Sequence, residues 1–356
     1  MPHLAKLRGI LAAALAAALL LPLGPASAQT RVAVGVDLPK SGIDGADGLA
    51  LREAVRLAGR DLAKRGVTVA FRDAASATPV RNPHQDEGSD NDADVAAAPK
   101  GISSLGSADV RVSVGPLRSN VAFAELLSLA QYDIAAVTPA AGLPSRLDPL
   151  VFHLAPSDRQ LVDAAYARMT ATYGKNLCIL DDGTVEGRAR ARLMLAHAPN
   201  VQHLTVPQQA RNPLVVACIT SVDVVFLAAR NLMLFTGPRV ANRLSIAHLL
   251  DQTFRRDFDL ARIGSRFGAV YQPIAAPLAR SPRLESVARA YHAAAKTVPS
   301  DDALRAYAAV EIAAAAAKTA WPRRTIQNTN FDTVIGRVAF DKYGDRLGAP
   351  IAIKKL

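Results

Sequence analysis

Arg31–Val36 reads RVAVGV and stops at Asp37-Leu38-Pro39-Lys40-Ser41-Gly42; Gly48–Arg60 and then Val67–Phe71, VTVAF, follow it. The first run is apolar along most of its length, as a strand covered on both faces must be. The Pro, Ser and Gly that close it are turn formers. Within Gly48–Arg60, Leu49, Ala54, Val55 and Leu57 share the apolar side of a helix. A helix between two buried strands returns the chain so that the second strand runs parallel to the first. This strand–helix–strand unit sets the class: an α/β chain built on parallel sheets with helices on both faces.

Working outward, the alternation continues. Val110–Val114 is a strand closing on Gly115-Pro116, Phe123–Leu129 is helical, and Ile134–Val137 is a strand stopping at Thr138-Pro139. A second series follows, with helices at Leu161–Thr170 and Glu186–Ala196, strands at Leu177–Leu180, Val201–Val206 and Val222–Ala228, and a short helix at Pro213–Cys218. Two series in 356 residues, at about 150 residues per domain, predict two lobes with a cleft between them. Ser300-Asp301-Asp302 is a helix N-cap cluster before the Ala-rich helix Ala303–Ala320, which Trp321-Pro322 ends. Thr333–Asp341 alternates like a strand, and a Tyr343-Gly344-Asp345 turn leads to a last strand at Ile351–Lys354. From Asp86 to Asp94 the chain is polar and acidic, which predicts a solvated loop ending in a helix cap. Asp90, Asp92 and Asp94 alternate as in a calcium loop, but the Gly at the sixth position and the Glu at the twelfth are absent.

The N-terminus has its own logic. Lys6 and Arg8 precede an apolar run from Ile10 to Leu23, then Pro25-Ala26-Ser27-Ala28. A basic start, a core too short to span a bilayer and an A-x-A end are the parts of an export signal, with cleavage expected after Ala28. No Cys follows the run to carry a lipid. Without Lys6 and Arg8, 40 basic residues remain against 31 acidic, a net +9. The basic residues are scattered and aromatics make up only 5% of the chain, so the pattern argues against nucleic-acid binding. Cys178 and Cys218 match no metal or redox spacing. They either pair in the oxidising compartment or lie buried as small apolar side chains.

Catalytic signatures are missing. The seven His are dispersed, no G-x-S-x-G elbow occurs, and no Gly-rich phosphate loop opens a helix. The expectation is therefore a protein that is not an enzyme, without metal or cofactor.

Several landmarks in order resemble one family. Pro39-Lys40-Ser41-Gly42 with Gly48, Arg72-Asp73, Val114-Gly115-Pro116-Leu117-Arg118-Ser119, Thr138-Pro139-Ala140-Ala141, Val151–Asp158 and Thr333–Asp345 are similar to segments of the leucine-binding family. These are the periplasmic substrate-binding proteins of branched-chain amino-acid ABC transporters. The last segment, T-V-I-G followed by F-D-x-x-G-D, is the sharpest. The resemblance implies a two-lobed type I periplasmic-binding fold, each lobe a mostly parallel sheet flanked by helices. It implies three hinge crossovers, near Val151–Ala155, Val270–Ile274 and Thr333–Arg337. Lobe 1 would then comprise 29–152 plus 275–332, and lobe 2 153–274 plus 333–356.

The same resemblance implies a monomeric periplasmic receptor that carries a small amino acid or carboxylate to an inner-membrane ABC permease. A sensing or scaffold protein with a degenerate pocket is the alternative. By this resemblance Ser119 holds the ligand carboxylate, alongside Ala140 of the same wall, although a Ser there equally suits a helix cap. Gly142 stands where the family has a second hydroxyl, and Asp47 where an aromatic often flanks the ligand. Gly237-Pro238-Arg239 replaces an acidic context, so Arg239, with Arg118 and Arg230, would favour an acid over an ammonium group.

Overall fold

In the computed structural model the described residues are 30–41, 44–74, 87–142, 149–174, 176–181, 183, 185–205, 217–218, 221–228, 245–248 and 270–355. Two principal sheets organise them. The first contains β1 (Thr30–Val36), β2 (Val67–Asp73), β3 (Val112–Val114), β4 (Ala135–Thr138) and β5 (Val151–His153). All are parallel, in the order β2-β1-β3-β4-β5. The period of two divides β1 between its faces: Val32, Val34 and Val36 enter one core, while Ala33 packs against the other.

Helix α1 (Gly45–Lys64) covers the first face with the expected Ala54, Val55 and Leu57, joined by Leu51 and Leu62, whereas Leu49, expected on the apolar side, is exposed. The second face is covered by α2 (Glu87–Ser107) and α3 (Ser119–Tyr132), whose Ile102, Leu105 and Leu129 are buried there. The acidic stretch expected as a loop lies, from Glu87 onward, in the first turns of α2. Carboxylates are favoured at a helix N-terminus, where the peptide dipoles sum to positive charge; acidity there marked a helix start rather than a loop.

The second sheet contains β6 (Leu177–Asp181), β7 (Gln202–Thr205), β8 (Val224–Ala228), β9 (Ser245–His248), β10 (Val270–Ala275) and β13 (Ile351–Lys355). Its order is β13-β10-β9-β8-β6-β7, parallel except that β13 runs against β10. Helices α4 (Asp158–Tyr173) and α5 (Val185–His197) pack Val162, Met169 and Met194 on Ile179 and Phe226. Cys178 of β6 and Cys218 form a disulfide, which resolves the two alternatives for these residues. Only Ala217 and Cys218 of the helix expected at 213–218 fall within the described residues.

The chain then returns to the first sheet with α6 (Pro282–Ala295), α7 (Asp301–Ala316) and α8 (Pro322–Asn328). Ser281 and Ser300 cap α6 and α7, accepting from Leu284 N–H and Ala303 N–H at 3.1 Å each. Alanines along α7 let its backbone lie close over β1, β3 and β4 and against α1. This helix ends at Ala316, short of the expected Ala320, and Pro322 opens α8 rather than only closing its predecessor. Proline suits a first helical turn because its missing N–H has no partner there anyway.

The expected strand 333–341 is instead a hairpin of β11 (Phe331–Thr333) and β12 (Gly336–Val338). Thr333 Oγ1 donates to Gly336 O at 2.7 Å and accepts from Ile335 N–H at 3.3 Å, folding the chain back. The hairpin packs Phe331, Val334, Val338 and Phe340 into the first sheet's core. The chain thus passes between the sheets after β5, after β10 and between β12 and β13. Among the described residues no helix is long and apolar enough to cross a membrane.

Candidate binding site at the junction of the sheets

Parallel strands of an open α/β sheet end where loops and helix N-termini gather, and ligands bind there. Here β3 and β4 end at 114 and 138, and the segments after them carry the residues singled out from sequence. Ser119, the first residue of α3, is 2% exposed, and its Oγ accepts from Gly142 N–H at 3.0 Å. Its own O–H proton remains to be donated, beside the positive end of the helix.

Thr138 builds the turn that delivers Ala140 and Gly142. Its Oγ1 donates to Pro116 O at 2.8 Å and accepts from Ala140 N–H at 3.3 Å and Ala141 N–H at 2.9 Å. His153 Nδ1 donates to Ala141 O at 2.8 Å, so the turn is held from both sides and is buried throughout.

Elements of the second sheet close on this turn. A β-carbon at Gly142 would lie 3.1 Å from Asp158 Oδ1 and 3.3 Å from Asp158 N. Asp158 opens α4, whose Ser157 cap and Gln160 form a reciprocal capping box, with Gln160 Oε1 accepting from Ser157 N–H at 3.0 Å. The Asp158 carboxylate pairs with Arg190 of α5 at 3.2 Å, both nearly fully buried. The missing hydroxyl at Gly142 therefore coincides with close approach of the other sheet's first helix.

Arg118 does not stand as a solvated rim residue. It is 5% exposed and forms a buried ion pair with Asp44, just before α1. Asp47, in the first turn of α1, is exposed. Arg230 and Arg239, with the Gly237-Pro238 context, lie outside the described residues. Of the predicted set, the structure therefore joins Ser119 and Gly142 by a hydrogen bond, sets Ala140 in the same Thr138-built turn, adds Arg118 by adjacency, and leaves Asp47 exposed. Sequence reasoning missed Asp44, Thr138, His153, Asp158 and Arg190 as parts of this junction. The Ser157 capping signal was available to place Asp158 at a helix start; the ion pairs had no local signal.

Two further features flank the junction. Arg159 of α4 donates to Asp345 at 2.9 Å through Nε and to Asp341 at 2.6 Å through Nη2, and lies over the Tyr343 ring. Burial opposes its charge, but the hydrogen bond and charge of Asp345 and the charge of Asp341 hold its pKa above the ordinary value. The 341–345 turn also presses on β5. Gly344, at φ 82°, has no room for a β-carbon against Val151 O, and its carbonyl accepts from His153 N–H at 2.9 Å. On the α3 side, the Glu125 carboxyl is fully buried and meets that of Asp37 at the end of β1. Burial first, then the Asp37 charge, pushes Glu125 well above the usual carboxylate range.

A separate groove of about 430 Å3 lies between α1, α7, α8 and β11, lined in part by Leu62, Arg65, Lys318, Thr325 and Phe331. Glu311 at this groove already accepts from Arg65, Arg283 and Val334 N–H. Among the described residues no group of three or more His, Cys, Asp or Glu is placed to hold a metal.

No protein-family model matches the sequence, and no curated protein matches it. Solved structures do. The isoleucine complex of the branched-chain amino-acid transporter substrate-binding protein LivJ from Streptococcus pneumoniae aligns at TM-score 0.57 and 16% identity, over 91% of this chain and all of that one. An ABC transporter substrate-binding protein from Desulfitobacterium hafniense, in complex with Leu, aligns at 0.61 and 15% identity over 92% and 97%. The solute-binding protein of an ABC transporter from R. palustris, in complex with benzoate, aligns at 0.56 and 16% identity over 92% and 96%. Across nearly its whole length the chain has the fold of ABC-transporter substrate-binding proteins, a two-sheet type I periplasmic-binding fold.

Proposed function

We propose that the chain is the periplasmic solute-binding component of an ABC importer, holding a small amino acid or carboxylate between its two lobes. The observation that carries this is the Ser119–Gly142 hydrogen bond, set at a helix N-terminus, at the ends of parallel strands and against the other sheet's first helix. Such a place suits a carboxylate, which helix N-termini and backbone N–H groups stabilise. The lobes are 29–152 plus 275–332 and 153–274 plus 333–356, except that the 331–340 hairpin packs in the first sheet's core and carries the third boundary past β12. Ser119 donates to the ligand carboxylate, Ala140 and Gly142 form the wall beside it, and Arg118 braces that wall through Asp44. Asp47, Arg230 and Arg239 complete the proposed ligand set.

In this account the signal at the N-terminus directs export and is cleaved after Ala28. The mature monomer closes on its ligand, and the closed form is what an inner-membrane permease recognises. The fold neighbours are binding proteins and not enzymes, in keeping with the absence of catalytic signatures. A second role, sensing without transport, is favoured by one observation: the position of the second ligand hydroxyl is a Gly approached by the protein's own Asp158.

The test is a thermal-shift panel on residues 29–356 with leucine, isoleucine, valine, dicarboxylates and benzoates. A ligand that selects the folded state raises the midpoint. A shift with branched-chain amino acids supports an amino-acid receptor, and a shift only with ammonium-free acids supports an acid receptor. No shift with any of them overturns the proposal and leaves the sensing role.

A further inference from the structure

Two buried arginines, one on α7 and one just before β13, keep an Nε without a partner among the described residues. Arg305, in the second turn of α7, is 2% exposed, and its Nη1 donates to Asp302 Oδ1 at 2.5 Å. Arg346 directly follows the 341–345 turn and is 7% exposed. Its Nη1 and Nη2 reach only carbonyls, Leu154 O at 3.5 Å and Ile335 O at 3.4 Å, the far end of hydrogen-bond range. The Nε of both arginines is buried with no acceptor among the described residues.

Burial, and after it the charge of Arg305, lower the pKa of Arg346. Asp302 pairs with Arg305, while Asp345 and Asp341, just before Arg346, hold Arg159. A guanidinium taken out of water is unfavourable unless a counter-charge joins it; Arg305 has one in Asp302, and Arg346 has none among the described residues. Neither can solve the conflict by losing its proton, because arginine stays charged in proteins.

We propose that Arg305 and Arg346 form a binding site for a small oxyanion, of carboxylate or phosphate type, at the hinge between the sheets. One such anion accepts from both orphaned Nε groups, and its charge offsets the repulsion. The site has a mechanical consequence. Arg346 O accepts from Gln160 Nε2 of α4 at 2.9 Å. An anion on Arg346 therefore links α7, on the first sheet, to the start of α4, on the second, and fixes the angle between them. This goes beyond the solute site at Ser119 and uses other residues.

The oxyanion has two sources, a free inorganic anion or the carboxylate of an organic solute, and the probes separate them. Residues 29–356 are melted in sulfate, inorganic phosphate or benzoate against chloride at equal ionic strength. The expected result is a saturable rise of several degrees with at least one of the three. Arg305→Met, which removes one charge, is expected to weaken that anion by about tenfold or more. Arg346→Lys, which keeps the charge but not the fork, is expected to weaken it as well and serves if the first variant does not fold. A rise with sulfate or phosphate that survives Ser119→Ala identifies an inorganic anion. A rise with benzoate alone that requires both Arg305 and Ser119 identifies the solute's own carboxylate. The proposal is overturned if the wild type shows no saturable rise, or if wild type and variants rise alike. A protein that binds isoleucine but fails this test keeps its solute function and loses only the hinge site.

Discussion

Around the two-sheet junction, buried charge is handled in two ways. At the Ser119–Gly142 wall each buried arginine has its own acid: Arg118 pairs with Asp44, and Arg190 with Asp158. Elsewhere, Arg346, a few residues past β12, reaches only carbonyls at the far end of hydrogen-bond range, and its Nε, like that of Arg305 in α7, has no acceptor among the described residues although Arg305 pairs with Asp302. The first region is electrostatically complete as it stands, and so rigid; the second is complete only with something bound. Asp37 and Glu125 make a third, instructive case. They are like charges too, but a carboxyl can take up a proton and end the repulsion, whereas a guanidinium cannot give one away. The same burial that favours the protonated form of an acid on one side of the sheet favours a bound anion on the other.

The completeness of the first region can be broken directly. Arg190→Ala leaves the Asp158 carboxylate buried without its guanidinium, at an expected cost of about 3–5 kcal/mol in denaturant unfolding. A cost under about 1 kcal/mol would mean that water reaches this pair and that the contrast with Arg305 and Arg346 is false. Gly142→Thr restores the hydroxyl found in the resembling family but places side-chain atoms on Asp158, and should cost about 1–3 kcal/mol. Unchanged stability would mean that the two sheets stand apart at this point in solution.

The acid pair gives the smallest expected effect, read as a change in the pH dependence of stability. Because the native pKa of Glu125 is raised, its contribution is fully present below its unfolded value of about 4.3 and is lost as pH rises through the native value. Glu125→Gln is therefore expected to flatten the decline in stability on the alkaline side and to raise the melting midpoint at pH 8. An unaltered pH profile would assign that decline to another group.

Much of the fold was legible because its signals are local. The apolar run Val32–Val36, the turn at Pro39 and the Ser300 cap each act within a few residues. The β11–β12 hairpin was misjudged because alternation continues through Thr333–Gly336, and only the Thr333 turn and the positive φ of Gly336 show the reversal. Strands β5 and β10 lie at the first two expected crossovers, but three to six residues beside a hinge carry no strand pattern of their own. The site was less legible for a different reason. Ser119 and Gly142 stand in recognisable turns, but Asp44 is 74 residues from Arg118, and Arg346 joins Leu154 across 192. Such pairings are made by topology, and nothing near either residue announces the other.

The central claim is that a small acid or amino acid binds between the sheets against Ser119. Calorimetric titration of isoleucine and benzoate into residues 29–356, wild type and Ser119→Ala, tests it most directly. The account predicts saturable binding of at least one ligand to the wild type. It also predicts a loss of about 1–2 kcal/mol in the variant, about 5- to 30-fold in affinity. Equal affinity in the two proteins would remove Ser119 from the site, and no binding of either ligand to the wild type would contradict the claim itself.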